Sequence, residues 1–75
     1  MNNNGRYTIL NIRDQIKIVD SFDDRPSVTQ AVQKLQRQSP IENEYVLDYI
    51  VWDNYTKGIT AVCWPKKEID WRRNQ

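Results

Sequence analysis

The chain has 75 residues, with 11 lysines and arginines against 10 acidic residues, one cysteine and no histidine. This length has room for a single domain with one modest core, and domains of this size are marginally stable unless a staple supports them. One cysteine excludes an internal disulfide, and the lack of histidine excludes the common zinc patterns of mixed Cys and His ligands. A net charge of +1 excludes a global field that draws the chain onto nucleic acid or anionic lipid.

The single thiol and the lack of an apolar run of about 18 residues predict a soluble cytoplasmic protein that is neither secreted nor membrane-spanning. Residues 1–5 are polar and lack a signal-peptide pattern, so we expect a disordered leader. Residues 6–64 are predicted to form a single α+β domain, and residues 65–75 form a basic aromatic tail.

Two stretches near the amino terminus have the alternation of β-strands. Residues 6–12 (RYTILNI) place Thr8, Leu10 and Ile12 on one side. Residues 16–22 (IKIVDSF) predict either a second strand or the continuation of one bent strand, and the pattern leaves both open.

A helix is predicted over residues 27–38. Ser27 is the expected N-cap, because Gln30 three residues later completes a capping box. Pro40 ends the helix, since the residue before a proline is pushed out of the helical region. The apolar positions form one amphipathic stripe, and they are Val28, Ala31, Val32 and Leu35.

Residues 45–64 (YVLDYIVWDNYTKGITAVCW) predict a β-hairpin, because aromatic and β-branched residues dominate both arms. The turn is expected at residues 53–58, with Gly58 able to adopt a positive φ. Burying an unpaired carboxylate is costly, so Asp48 is assigned to the face away from the helix.

The alternation then divides the hairpin into two faces. The residues expected to face the helix are Tyr45, Leu47, Tyr49, Val51, Ile59, Ala61 and Cys63. Those expected on the other face are Val46, Ile50, Trp52, Thr60, Val62 and Trp64. A one-residue bulge inverts such an assignment.

The predicted fold is a small two-layer α+β domain: an antiparallel sheet of three or four strands in the order β-(β)-α-β-β, one amphipathic helix on one face, and a short C-terminal tail or helical turn. The expected core consists of Leu10, Ile18, Val32, Leu35, Leu47, Tyr49 and Ala61.

The residues do not favour an enzyme. Histidine, the commonest general base, is absent, and Cys63 lies in an apolar strand with no cation beside it in sequence. Asp23 and Asp24 precede a helix, where the helix dipole favours acids. With only Gly5 and Gly58, the chain has no glycine-rich phosphate loop. We therefore expect no catalytic residue, no cofactor and no metal.

The function that this pattern favours is a small protein-binding module, such as an adaptor, regulator or inhibitor of a larger protein. It would act through the aromatic sheet face and a basic helix or tail, and the partner would be another protein or a second copy of the chain. The predicted partner-binding residues are Val46, Ile50, Trp52, Trp64 and Trp71. In the competing interpretation the tail covers this face with Ile69 and Trp71, which makes it ordinary core.

The alternative is a nucleic-acid-binding protein that uses the tail and the Gln-rich helix face. Its predicted contacts are Lys34, Arg37, Lys66, Lys67, Arg72 and Arg73. Against it, the charged residues in the range 39–58 are mostly acidic and would repel phosphate.

Overall fold

The computed structural model describes residues 5–13, 15–38 and 47–72. The predictions for residues 1–4, the helix stop at Pro40, and the predicted contacts Val46 and Arg73 lie outside these ranges. In chain order the elements are β1 (Tyr7–Asn11), β2 (Lys17–Phe22), α1 (Arg25–Gln38), β3 (Tyr49–Asp53), β4 (Gly58–Cys63) and β5 (Asp70–Trp71).

The strands form one antiparallel sheet in the order β2-β1-β3-β4-β5. The α+β class is therefore confirmed, with five strands rather than three or four. The amino-terminal region forms two strands and not one bent strand. Where a loose tail or helical turn was expected, residues 70 and 71 add a short strand to the β4 edge.

The core lies on the sheet face that meets α1. Val28 and Val32 of the helix are fully buried and belong to one cluster with residues from three strands, β1, β3 and β4. The sheet residues in this cluster are Tyr7, Ile9, Tyr49, Val51, Ala61 and Cys63. Leu35 of the helix and Trp71 of β5 pack against its border, so both the helix and the tail close the same side.

The predicted core was wrong about Leu10 and Ile18. Ile9 is 0% exposed, whereas Ile18 is 51% exposed and Leu10 is half-buried. Both faces of β1 carry apolar residues, so alternation alone does not choose between them. Pairing with β3 makes the choice, since Ile9 lies opposite Val51 on the face that meets the helix.

The helix begins earlier than the capping box predicts. Asp24 is the N-cap: its carboxylate accepts a hydrogen bond from the Ser27 backbone N–H at 2.8 Å, and its carbonyl accepts one from Val28 at 3.4 Å. This hydrogen bond lowers the pKa of the Asp24 carboxyl. A charged N-cap is preferred here because Asp24 also interacts favourably with the helix dipole.

Two β-bulges change which side chains share a face. In β4, Val51 and Trp52 pair with Ala61 and Ile59, so Thr60 is the extra residue. The bulge carries Ile59 away from the core, where it is 43% exposed, and Thr60 is fully buried. The predicted positions of Ile59 and Thr60 were therefore wrong.

The second bulge lies in β2, on the outer edge of the sheet. Ile9 and Leu10 of β1 pair with Asp20 and Ile18, which leaves Val19 as the extra residue. Val19 packs against the border of the core cluster.

The hairpin turn lies between Asp53 and Gly58, as predicted, but the left-handed residue is Lys57, with φ of 60°. Gly58 does not have a positive φ, and a Cβ built on it meets nothing within 4 Å. A lysine in this conformation costs roughly 1 kcal/mol or more, so the turn carries a local strain.

Neighbouring residues of β1 allow a direct test of which face is the core. We expect Ile9→Ala to lower the free energy of unfolding by about 2 to 5 kcal/mol, and Leu10→Ala by about half of that or less. Urea unfolding followed by tryptophan fluorescence measures both. Equal losses for the two variants would contradict the register described here.

Candidate functional site: the sheet face opposite the helix

Two rows of side chains cross the sheet on the face away from α1, because directly paired residues point to the same side. The first row is Ile18, Leu10, Ile50, Val62 and Asp70, and the second is Ser21, Thr8, Trp52 and Ile59. Together these residues are called the open face. The register agrees with the assignment of Ile50 and Trp52 to this side.

The open face presents large apolar side chains to solvent. Ile18 is 51% and Ile59 is 43% exposed, and Leu10, Ile50 and Trp52 are half-buried. Thr8 and Val62 of the same rows are buried. A groove of about 260 Å³ lies on this side, lined by Thr8, Leu10, Ile18, Trp52 and Asn54. Apolar surface of this kind on a small domain is a candidate interface.

Asn54 gives the groove a polar end with a fixed geometry. Its side-chain amide donates to the Gly5 carbonyl at 2.9 Å and to the Thr8 hydroxyl at 3.0 Å. Gly5 is required here, because a Cβ would lie 2.7 Å from the Phe22 carbonyl oxygen. The polar end of the groove is thus held rigidly by the start of β1.

The hairpin turn beside the groove is anchored by an ion pair. The Arg6 guanidinium donates to both carboxylate oxygens of Asp53, with distances of 3.1 to 3.3 Å, and the Tyr55 backbone N–H adds a bond of 2.9 Å. Burial raises the pKa of Asp53, but these hydrogen bonds outweigh it, so the net pKa lies below its ordinary value. Arg6 also lies over the rings of Tyr7 and Tyr55, at 5.1 and 4.9 Å from their centroids.

Asp48 was expected to avoid burial, because burying an unpaired carboxylate is costly, and this expectation was wrong. Its side chain is 0% exposed, and Arg13 lies 3.3 Å from one carboxylate oxygen. Neither oxygen meets hydrogen-bond geometry in the structure. Burial raises the pKa of Asp48, and the charge of Arg13 opposes this. The Asp48 backbone N–H donates to the Cys63 carbonyl at 2.9 Å, which extends the pairing of β3 with β4.

Cys63 is fully buried in the core, as expected of a small hydrophobic residue. Burial, with the nearby charge of Asp48, raises the pKa of its thiol to about 12. At neutral pH the side chain is therefore a thiol and not the nucleophilic thiolate.

Trp71 does not lie on the open face. Its indole N–H faces the Thr29 hydroxyl at 3.3 Å, and its ring meets Tyr7 edge-on with centroids 5.6 Å apart. Arg25 covers the ring at 4.8 Å from its centroid. Ile69 also packs against the core beside the helix. The described part of the tail therefore packs on the sheet face that meets the helix. It does not cover the open face, which contains Trp52.

The predicted basic contacts divide into separate groups. Arg37, Lys66 and Lys67 line one groove, together with Gln33, Gln36 and Glu68. Lys34 lines a different groove between α1 and β2. Arg72 continues the β5 pairing through its backbone, whose N–H donates to the Thr60 carbonyl at 2.8 Å.

Trp64 follows β4 and is half-buried, and its carbonyl accepts a hydrogen bond of 2.7 Å from Gln36. The open-face residues that sequence reasoning missed are Leu10, Ile18 and Ile59. The sequence gives a partial indication that Ile18 is exposed, because its strand also contains Lys17, Asp20 and Ser21. Nothing in the sequence signals the displacement of Ile59, since a bulge depends on pairing.

Comparisons with protein-family models, with curated proteins and with solved structures find no match to this chain. Over residues 5–13, 15–38 and 47–72, no helix is long and apolar enough to cross a membrane. The same ranges contain no group of three or more His, Cys, Asp or Glu residues placed to hold a metal ion.

The Asp53 carboxylate should make stability depend on acid pH. The pKa of Asp53 is lower in the folded state than its ordinary value of about 3.9. The carboxylate therefore contributes to the free energy of unfolding above that pH, and this contribution is lost as the pH falls through the folded-state pKa. We expect Asp53→Asn to be less stable than the parent at pH 7, with a difference that shrinks toward pH 2. Urea unfolding across this range measures it, and a constant difference would exclude this role for the carboxylate.

The thiol of Cys63 should be protected by the fold. We expect it to react with a disulfide reagent such as DTNB about a hundredfold more slowly in the native protein than in guanidinium chloride, where the thiol is exposed. Absorbance of the released thiolate follows both reactions. Equal rates would mean that the β4 strand opens readily or that Cys63 is not buried.

Proposed function

We propose that this protein is a non-enzymatic module that binds another protein through the open face. The observation that carries the proposal is the exposure of Ile18 and Ile59 in two rows that also contain Leu10, Ile50 and Trp52. A partner that covers these rows removes apolar area from water, which is the main driving force for protein association.

The composition of the open face favours a protein partner over nucleic acid. Across the two rows the charged residue is Asp70, an acid, which lies at the β5 edge. A phosphate backbone is attracted by cations and would be repelled at this edge. An apolar centre with Ser21 at the β2 edge and Asp70 at the β5 edge has instead the arrangement of a protein interface, with a hydrophobic core and a polar rim.

The nucleic-acid alternative also loses the aromatic residue on which it most depends. Base stacking needs an accessible ring face, and the ring of Trp71 is half-buried between Tyr7 and Arg25. Cys63, the reactive side chain of most interest for an enzyme, is a buried thiol. The first observation favours a protein partner over nucleic acid, and the second favours a binding role over catalysis.

A double variant tests the proposal. Ile18→Lys with Ile59→Lys places two charges on the open face without removing a core side chain, so we expect the fold to be kept and partner binding to fall by at least about tenfold. Gln30→Lys with Gln38→Lys is the matched control, because it adds the same two charges on the exposed helix surface and neither residue lines the groove of Arg37, Lys66 and Lys67. Thermal unfolding checks that all three proteins fold, and recovery from a cell extract measures binding.

A photoreactive amino acid at position 59 then identifies what touches the open face. A protein crosslinked from position 59 and not from position 30 supports the proposal, and mass spectrometry shows whether it is a different protein or a second copy. The proposal fails if position 59 crosslinks to no protein, or if the double variant recovers the same partner as the parent.

A further inference from the structure

A second surface, on the helix side of the sheet, has the opposite character to the open face. The groove there has a volume of about 420 Å³ and is lined by Gln33, Gln36, Arg37, Lys66, Lys67 and Glu68. Three of these residues are cations and one is an acid. The ion pairs found among the described residues, Arg6 with Asp53 and Arg13 with Asp48, involve none of the three cations. Within the described residues these three cations outnumber the one acid of the groove, so its lining has an excess of positive charge.

The helix holds the groove in shape. The Gln36 side-chain amide donates to the Trp64 carbonyl at 2.7 Å and to the Lys67 carbonyl at 2.8 Å. The Lys67 backbone N–H also donates to the Trp64 carbonyl, at 3.4 Å. These hydrogen bonds hold the turn of Lys66 and Lys67 against α1. The entropy cost of ordering this turn when a ligand binds is therefore small.

Lys66 adopts a left-handed conformation, with φ of 61°. Glycine suits this position better, because lysine pays a steric cost there. Such strain at a residue whose side chain lines a groove is a pointer to function. The protein therefore tolerates a destabilising backbone conformation at a residue whose ammonium group lies at the groove.

We infer that this groove binds an acidic segment of a partner protein, with Arg37, Lys66 and Lys67 receiving its carboxylates. Because Glu68 offsets one of the three cations, the lining residues carry a net positive charge that two carboxylates would balance. This favours a short acidic stretch over a long polyanion, which needs a continuous row of cations.

The neighbouring tryptophans also favour a peptide over a single-stranded nucleic acid. The indole N–H of Trp71 faces Thr29, and its ring is covered by Arg25. Trp64 is half-buried. Recognition in this groove is therefore by charge and hydrogen bonding, without the stacking platform that single strands use.

The test uses the full chain and a fluorescein-labelled peptide with three consecutive acidic residues, compared at low salt with a peptide in which they are replaced by their amides. We expect the acidic peptide to bind, and Lys66→Gly to weaken it by about fivefold. The same substitution should raise the melting temperature by about 4 °C, since it relieves the left-handed strain. Fluorescence anisotropy and thermal unfolding measure the two effects.

Lys57→Gly is the matched control, because Lys57 has the same strain and charge but lies in the hairpin turn. It should also stabilise the protein and leave peptide binding unchanged. A purely structural role for Lys66 predicts that both variants bind alike, and that outcome overturns the inference. So does the absence of any preference for the acidic peptide over the amide peptide. Tighter binding of a single-stranded or duplex oligonucleotide, lost in Lys66→Gly, would reassign the groove to nucleic acid.

Discussion

The structure depends on the pairing of β1 with β3 at the centre of the sheet. Ile9 lies opposite Val51, and at the end of the same ladder the Arg6 guanidinium binds the Asp53 carboxylate. A slip of one residue would exchange the two faces of β1 and turn Ile9 away from the helix. The ion pair opposes this slip, because a shifted register would separate a buried carboxylate from its cation. The position of every outer strand follows from this central pair.

The sequence contains enough information to predict the helix and the hairpin, because each rests on local patterns. The stripe of Val28 and Val32 identifies the buried side of α1, and the turn residues identify the end of β3. What the sequence does not show is set by contacts between distant residues, or by a local choice between two good capping residues. Asp24 caps the helix in place of Ser27 because its carboxylate reaches the free N–H, and both residue types are good caps.

The candidate surfaces were predictable to a smaller extent. Alternation correctly separates Trp52 from Val51, because β3 is regular along its length. It fails at Ile59, where the extra residue in β4 reverses the alternation, and at Trp71, whose side depends on pairing with Ala61. The result is a molecule with two unlike sides. An apolar sheet face lies on one side, and a groove with excess positive charge lies beside the helix on the other. Under the two proposals made above, these sides would bind two partners of different chemistry.

The bulge at Val19 has a consequence for how the protein avoids polymerisation. An edge strand with free backbone groups is a template for further strands, and β2 forms one edge of this sheet. Val19 breaks the regular spacing of those groups, and Lys17 and Asp20 add charges on both sides of it. The opposite edge, β5, is only two residues long. Both edges are therefore poor templates for growth into fibrils. The protein can present apolar side chains on a sheet face while its edge strands disfavour the pairing of further copies.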